Sequence, residues 1–488
     1  MKSLLFSLAG LATLALPACG EIAPIDTAPS TSSSPDSHAA GTDVLAVALG
    51  TEVRLIALDG STTTLLAGDS FFADVTGVDL VGAGSFVLVR AYADHGLPGE
   101  LRFAMIGSDA SVKWTQRFAV SFAGGTSASR GALSWSPMVS ADDASVLVTD
   151  PTTGLRALGA GGVAGELTGY GPIGAVVGGY VPVATNWDAA TPYTKTYGWW
   201  KLGPGRQLES AQTLTTAADD QGTSPTSFGH RIVRLERRGG GSVLLVQTRD
   251  ATTTISLPRT TASASIVSPS NDEMFGEDRW LLVAAGVPGR TVRVDVASGT
   301  ADTLDLVPPP GYRPFDACRD DVALGSQLRI DRDGRIYGVF RNDDRVAAFT
   351  TVDGAKWTQL GGSFSGVGGL EVSSTRGTYT LRAHEAVYCF GKGPSWSSPS
   401  GADFNGDRIQ IVRPSAGTHL SLPGTSFADR NKNAGYTLSR NGRHGAQWLV
   451  EAGVATLRVT DLETGGERVV ATQSGGVRSA QPAWLWKP

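Results

Sequence analysis

The chain of 488 residues holds only three cysteines, far too few for a small disulfide-built scaffold. Charge is sparse as well: 18% of residues are Asp, Glu, Lys or Arg, and the formal net charge is −5. The densest basic stretch, Arg234 to Arg238, is short enough to be one strand end. A nucleic-acid partner is therefore not expected. After Leu16 no apolar run approaches the length of a membrane helix. Turns recur too often for the strands of about ten residues that build an outer-membrane barrel. The six histidines, His38, His95, His230, His384, His419 and His444, lack helical or hairpin metal spacing, so no zinc site is expected. Gly-x-Ser-x-Gly never occurs, which removes the usual nucleophile turn of a serine hydrolase. No cofactor is implied by any motif.

What is present is glycine, 62 residues of it, together with abundant Thr, Ser and Val. This is the profile of many short strands joined by tight turns. The N-terminus is different. One lysine, Lys2, precedes an apolar run from Leu4 to Leu16, which is a signal-peptide core and too short to span a bilayer. It ends in Leu16-Pro17-Ala18-Cys19, which resembles the lipobox of bacterial lipoprotein precursors, with Pro17 departing from the usual small residue. The resemblance implies cleavage after residue 18 and lipid on Cys19. Several acyl chains would give stable anchoring where one gives only marginal binding. Gly20 follows the cysteine where aspartate would favour retention in the inner membrane, so the resemblance implies the outer membrane, on its periplasmic or surface face. Residues 19–42 are rich in Ser, Thr, Pro and Ala, too poor in apolar surface to fold, and read as a disordered tether.

From residue 43 to 488 one kind of unit recurs. Asp43–Leu49 pairs with Glu52–Leu58, and Asp59-Gly60 turns the chain into Ser61–Leu66. Asp-Gly between alternating runs is a strong hairpin signal. The same plan is legible at Ala144–Leu158, Trp280–Gly299, Arg335–Gly354 and Ala455–Val470. Lys113-Trp114-Thr115-Gln116 recurs as Lys356-Trp357-Thr358-Gln359, 243 positions later. Five units over that span give about 49 residues each, a propeller-blade period. The units resemble generic blades of WD-like, quinoprotein-like and Asp-box propellers. Thr351-Val352-Asp353-Gly354-Ala355-Lys356-Trp357 is one residue short of an Asp-box, and the Phe-Arg-Ile-Pro signature of sialidases is missing. The expected fold is thus all-β: a propeller of about eight four-stranded blades, with seven or nine as alternatives; the count of eight or nine turns on residues 215–270, which are ambiguous. The first unit lacks an inner strand, and Arg478–Trp486 is a spare strand that could supply it.

Candidate sites are few. Cys318 and Cys389 form either a disulfide, stabilising by roughly 4 kcal/mol in the chain-entropy model, or two separate buried thiols. Asp403-Phe404-Asn405-Gly406-Asp407 opens like the calcium loop of FG-GAP repeats, but Arg408 and Ile411 replace its glycine and last carboxylate. A structural calcium is therefore not expected there. Trp187, Trp199 and Trp200 either line a sugar or peptide surface or pack between blades. Two functions remain: a binding or scaffold lipoprotein with an envelope protein or glycan as partner, or a hydrolase or lyase acting on glycans or peptides.

Overall fold

Glycine- and aspartate-bearing turns fold the chain back on itself throughout, and the outcome is a succession of antiparallel sheets. The computed structural model describes residues 42–487 apart from 68, 94–98, 121–135, 140–143, 151–153, 186–192, 204–207, 217–223, 239–240, 268–278, 315–327, 332, 343–344, 366–369, 376–377, 384–387, 390–392, 395–407, 414–417, 423–436, 440, 452–453 and 475–481. These belong to one unit, Gly41–Pro488. The described helix is a single short turn, Asp69–Phe72.

The architecture is a β-propeller. Eight sheets are four-stranded, and a further one has the same four positions with its first strand in two pieces. Numbered along the chain, sheet 1 begins at 42, sheet 2 at 75, sheet 3 at 136, sheet 4 at 170, sheet 5 at 226, sheet 6 at 265, sheet 7 at 313, sheet 8 at 370 and sheet 9 at 437. The ambiguous stretch 215–270 therefore contains a complete sheet, 226–257. In sheet 7 both Arg313–Pro314 and Arg329–Ile330 pair with Ile336–Asn342. A ribbon of Tyr388–Cys389 and Gly393–Pro394 rises between the second and third strands of sheet 8.

Sheet 1 is assembled from both ends of the chain. Its order is Thr62–Ala67, Glu52–Ala57, Thr42–Leu49 and then the C-terminal strand Ala483–Lys487. Val44 lies opposite Leu485 and Asp43 opposite Trp486. The C-terminal strand thus takes the place that Val75–Ala83 takes in sheet 2.

Side chains alternate along a strand, so a sheet covered on both faces needs apolar residues at successive positions. In sheet 1, Val44, Ala46 and Ala48 pack with Val87, Val89 and Ala91 of sheet 2. The intervening Leu45 and Val47 pack with Trp448, Leu457 and Val459 of sheet 9. The same division recurs between sheets 2 and 3, 3 and 4, 5 and 6, and 6 and 7. Each large aliphatic side chain buried in this way contributes about 1.5–3 kcal/mol.

Polar contacts repeat the arrangement. The fourth strand of a sheet docks on the last hairpin of the next. Gln116 of sheet 2 donates to Gly159 O of sheet 3. Ser210 of sheet 4 donates to Arg249 O of sheet 5. Val307, just past sheet 6, donates its N–H to Gly354 O of sheet 7 at 3.1 Å. Arg468 of sheet 9 reaches Ala57 O of sheet 1 at 3.4 Å. Gly354 shows how close the approach is: at φ +79° its missing Cβ would sit 2.8 Å from Leu306 Cδ2. A Cβ there would force the Leu306 side chain to shift, and the positive φ would strain any other residue.

The repeated Lys-Trp-Thr-Gln tetrapeptides fall in sheets 2 and 7, five sheets apart, at the same register: Phe103 faces Gln116 and Phe349 faces Gln359. Their tryptophans reach opposite ways, Trp114 toward sheet 3, which follows, and Trp357 toward sheet 6, which precedes. Trp114 Nε1 donates to Ala144 O at 2.6 Å and Trp357 Nε1 to Val307 O at 2.7 Å, each an acceptor outside the tryptophan's own sheet.

Candidate functional site

Of the residues singled out from sequence, Cys19, Trp187, Cys318, Asp403, Asn405 and Asp407 lie outside the described residues. Cys389 ends the short strand Tyr388–Cys389. Trp199 and Trp200 are both placed, and neither forms a surface. They are 2% and 0% exposed. Trp199 packs with Ala184, Tyr197 and Ile232 toward sheet 5, whereas Trp200 packs with Leu155, Val181 and Val183 toward sheet 3. Neighbours on a strand point to opposite faces, and here both faces are covered. The aromatic-surface alternative therefore fails for these two residues.

First strands are where an enzymatic propeller would gather its charges. Among the described first strands, the carboxylate-bearing residues are Asp79 and Glu371. Asp79 accepts from Arg90 Nη2 at 2.5 Å and Nε at 3.1 Å, a pair within sheet 2. Elsewhere charge is again used to hold the fold. Arg102, 3% exposed, donates to Phe71 O and Ala73 O and fixes the helical turn. Arg293 of sheet 6 donates to Gly334 O and Val352 O of sheet 7, and its guanidinium lies 5.3 Å from the Trp280 ring.

Carboxylates close the last hairpin in five sheets. Asp353 Oδ1 accepts from the N–H of Lys356 and Ala355, which holds its carboxyl below the usual range. Asp59 is lowered by Ser61, and Asp109 by Lys113 and Ser111. For Asp295 and Asp461, burial pushes upward, yet hydrogen bonds win. Arg279 and Ser298 lower Asp295; Glu463, Thr464 and Arg443 lower Asp461. These are local Asx turns, the structural use of aspartate.

One polar group stands apart, between sheets 9 and 1. His444 Nδ1 lies 2.9 Å from Asp43 Oδ2, and the two residues are 9% and 2% exposed. Ser439 Oγ accepts from the His444 N–H at 3.0 Å and sits 2.8 Å from Asn441 Oδ1. The Trp484 ring is 6.1 Å from the imidazole, and its Nε1 donates to Thr437 O at 3.2 Å. A carboxylate on one ring nitrogen is how catalytic bases and metal-bound histidines are oriented. Here, however, the neighbouring hydroxyl of Ser439 is spent on the His444 main-chain N–H and the Asn441 side chain. Among the described residues, no three His, Cys, Asp or Glu side chains come together as a metal site. Sequence inspection had no signal for this pair, since its members are 401 positions apart.

No family model matches the chain, and no curated protein matches it in sequence. Solved structures do match. A eukaryotic initiation factor aligns at 8% identity and TM-score 0.49, over 91% of this chain and 98% of that one. TolB from Acinetobacter baumannii aligns at 11% identity and TM-score 0.27, over 83% of each chain. Prolyl oligopeptidase B from Galerina marginata aligns at 9% identity and TM-score 0.34, over 85% of this chain and 52% of that one. Likeness at this level concerns fold and not activity. Among the described residues, no helix is long and apolar enough to cross a membrane.

Proposed function

We propose that this chain is an exported lipoprotein, anchored through Cys19, whose propeller serves as a binding or scaffold module in the cell envelope. The observation that carries the reading is how the described charge is spent. Asp79, Arg102, Arg293 and the hairpin aspartates hold strands and sheets to one another. A rigid body with loops at its sheet ends suits the presentation of a surface to a partner. The outer membrane, the tether 19–42 and an envelope protein or glycan as partner belong to the same proposal. The rival reading, a hydrolase or lyase acting on glycans or peptides, draws support from the oriented imidazole of His444.

Two measurements test the proposal. Cys19→Ser should abolish palmitate labelling and release the body from membranes, because the acyl chains supply the affinity. Labelling that persists in that variant would defeat the anchor. Cross-linking in intact envelopes should recover a defined partner through the propeller. Turnover of envelope glycans or peptides by the purified protein, lost in His444→Gln while the melt is retained, would favour the enzyme instead.

A further inference from the structure

Eight of the nine sheets are each drawn from one contiguous stretch of chain. Sheet 1 is the exception, because residues 42–67 and 483–487 meet in it with no covalent link across the ladder. At every other joint the chain itself runs from one sheet into the next. Sheet 9 likewise continues into the C-terminal strand, so the joint left to non-covalent forces is the ladder between Thr42–Leu49 and Ala483–Lys487.

The Asp43–His444 pair spans that joint. Asp43 sits on the N-terminal strand opposite Trp486, and His444 begins the second strand of sheet 9. Asp43 is 2% exposed, and its Oδ1 has no partner among the described residues. His444 is thus the group that compensates the buried carboxylate. The strand start that carries the imidazole is fixed in turn, because the backbone N–H of His444 donates to Ser439 Oγ. Removing it leaves a carboxylate in a dry site, which is far more costly than losing an exposed pair.

We infer that the propeller opens at the ladder between its first and last strands, and that the Asp43–His444 pair is the latch holding that ladder shut. The latch couples the two chain ends through a buried side-chain pair, beside the part-buried contact of Arg468 with Ala57 O. Opening swings residues 42–67 away from the C-terminal strand and sheet 9, breaks the bond from Trp486 N–H to Gly84 O of sheet 2, and leaves the joints from sheet 2 round to sheet 9 intact.

Hydrogen exchange on the full chain tests this, with His444→Gln and the milder Asp43→Asn compared with the parent. Expected is at least roughly a hundredfold faster exchange of ladder amides, such as those of Val44, Ala46 and Leu485, in His444→Gln. Sheet 4 amides, such as those of Val183 and Tyr197, should stay within a few-fold of the parent. Asp43→Asn, which keeps a hydrogen-bonding amide, should give a smaller rise confined to the same ladder. Arg293→Ala, at a joint the chain crosses, should leave the ladder amides unchanged. Equal acceleration in sheet 4 and the ladder would show that the pair merely stabilises the whole body, and would overturn the latch. So would unchanged ladder exchange in both variants. Should His444→Gln fail to fold, Asp43→Asn decides by the same two criteria.

Discussion

Truncation before residue 482 removes the C-terminal strand Ala483–Lys487, and its cost can be worked from what that strand buries. Leu485 is 2% exposed, Trp486 6% and Ala483 8%. Deleting a buried leucine costs about 2–5 kcal/mol and a buried tryptophan about 3–5 kcal/mol. Five residue pairs of ladder with Thr42–Ala46 go as well, at about 1 kcal/mol for each hydrogen bond. Asp43, buried beside this strand, gains a route to water. The total, on the order of 10 kcal/mol, rivals the whole stability of a typical domain, about 5–15 kcal/mol. The truncated protein should therefore lose its cooperative melt or unfold at a far lower temperature. Residues 42–67 should become the first site of proteolysis. Circular dichroism melts and limited proteolysis of the two proteins side by side provide the assay. Coincident melts, with no new cleavage before Ala67, would refute the reasoning. They would mean that the strand sits on sheet 1 without supporting it.

Acid should weaken the hairpins. The carboxyls of Asp59, Asp109, Asp295, Asp353 and Asp461 are all lowered in the folded state. Their contribution is therefore complete above the unfolded aspartate value, near pH 4, and is lost as pH falls through the lower folded values. Melting temperature should hold from pH 7 to about 5 and fall below 4, less steeply in Asp353→Asn; a flat profile to pH 2 would contradict this. Trp200→Ala should destabilise by about 3–5 kcal/mol in urea titration, whereas a cost under about 1 kcal/mol would mean that its site between sheets 3 and 4 is not closely packed. A chelator should leave the melting temperature unchanged, since the loop at Asp403, Asn405 and Asp407 lacks its last carboxylate; a calcium-dependent rise abolished by Asp403→Ala would reverse that expectation.

The fold was legible because hairpin chemistry is local. Asp59-Gly60 and Asp353-Gly354 each mark a turn that the structure closes with the aspartate side chain. Strand limits followed to within a residue or two, as with Glu52–Ala57 and Trp280–Ala284. The short first strands were harder to read. Ser265–Ile266 and Thr437–Leu438 are two residues long and carry no alternation to detect. The tryptophans were ambiguous for a different reason. A Trp199-Trp200 pair on a one-sided strand must expose one ring, and only the presence of sheets on both faces buries both. The Asp43–His444 contact is a product of where the chain ends meet, and nothing near either residue announces it.

Sheet 1 also sets a timetable for synthesis. Its first three strands leave the ribosome by Ala67, while the fourth begins at Ala483, some 400 residues later. At about 5–20 residues per second the wait is roughly 20–80 s. Throughout that interval Thr42–Leu49 offers an open edge of backbone donors and acceptors with apolar side chains on both faces, a template for mispairing. A nascent chain built this way gains from being kept extended until its last residues are made. Translocation through a membrane before folding would impose that order, and a holding chaperone would be the substitute if the chain were made without a leader.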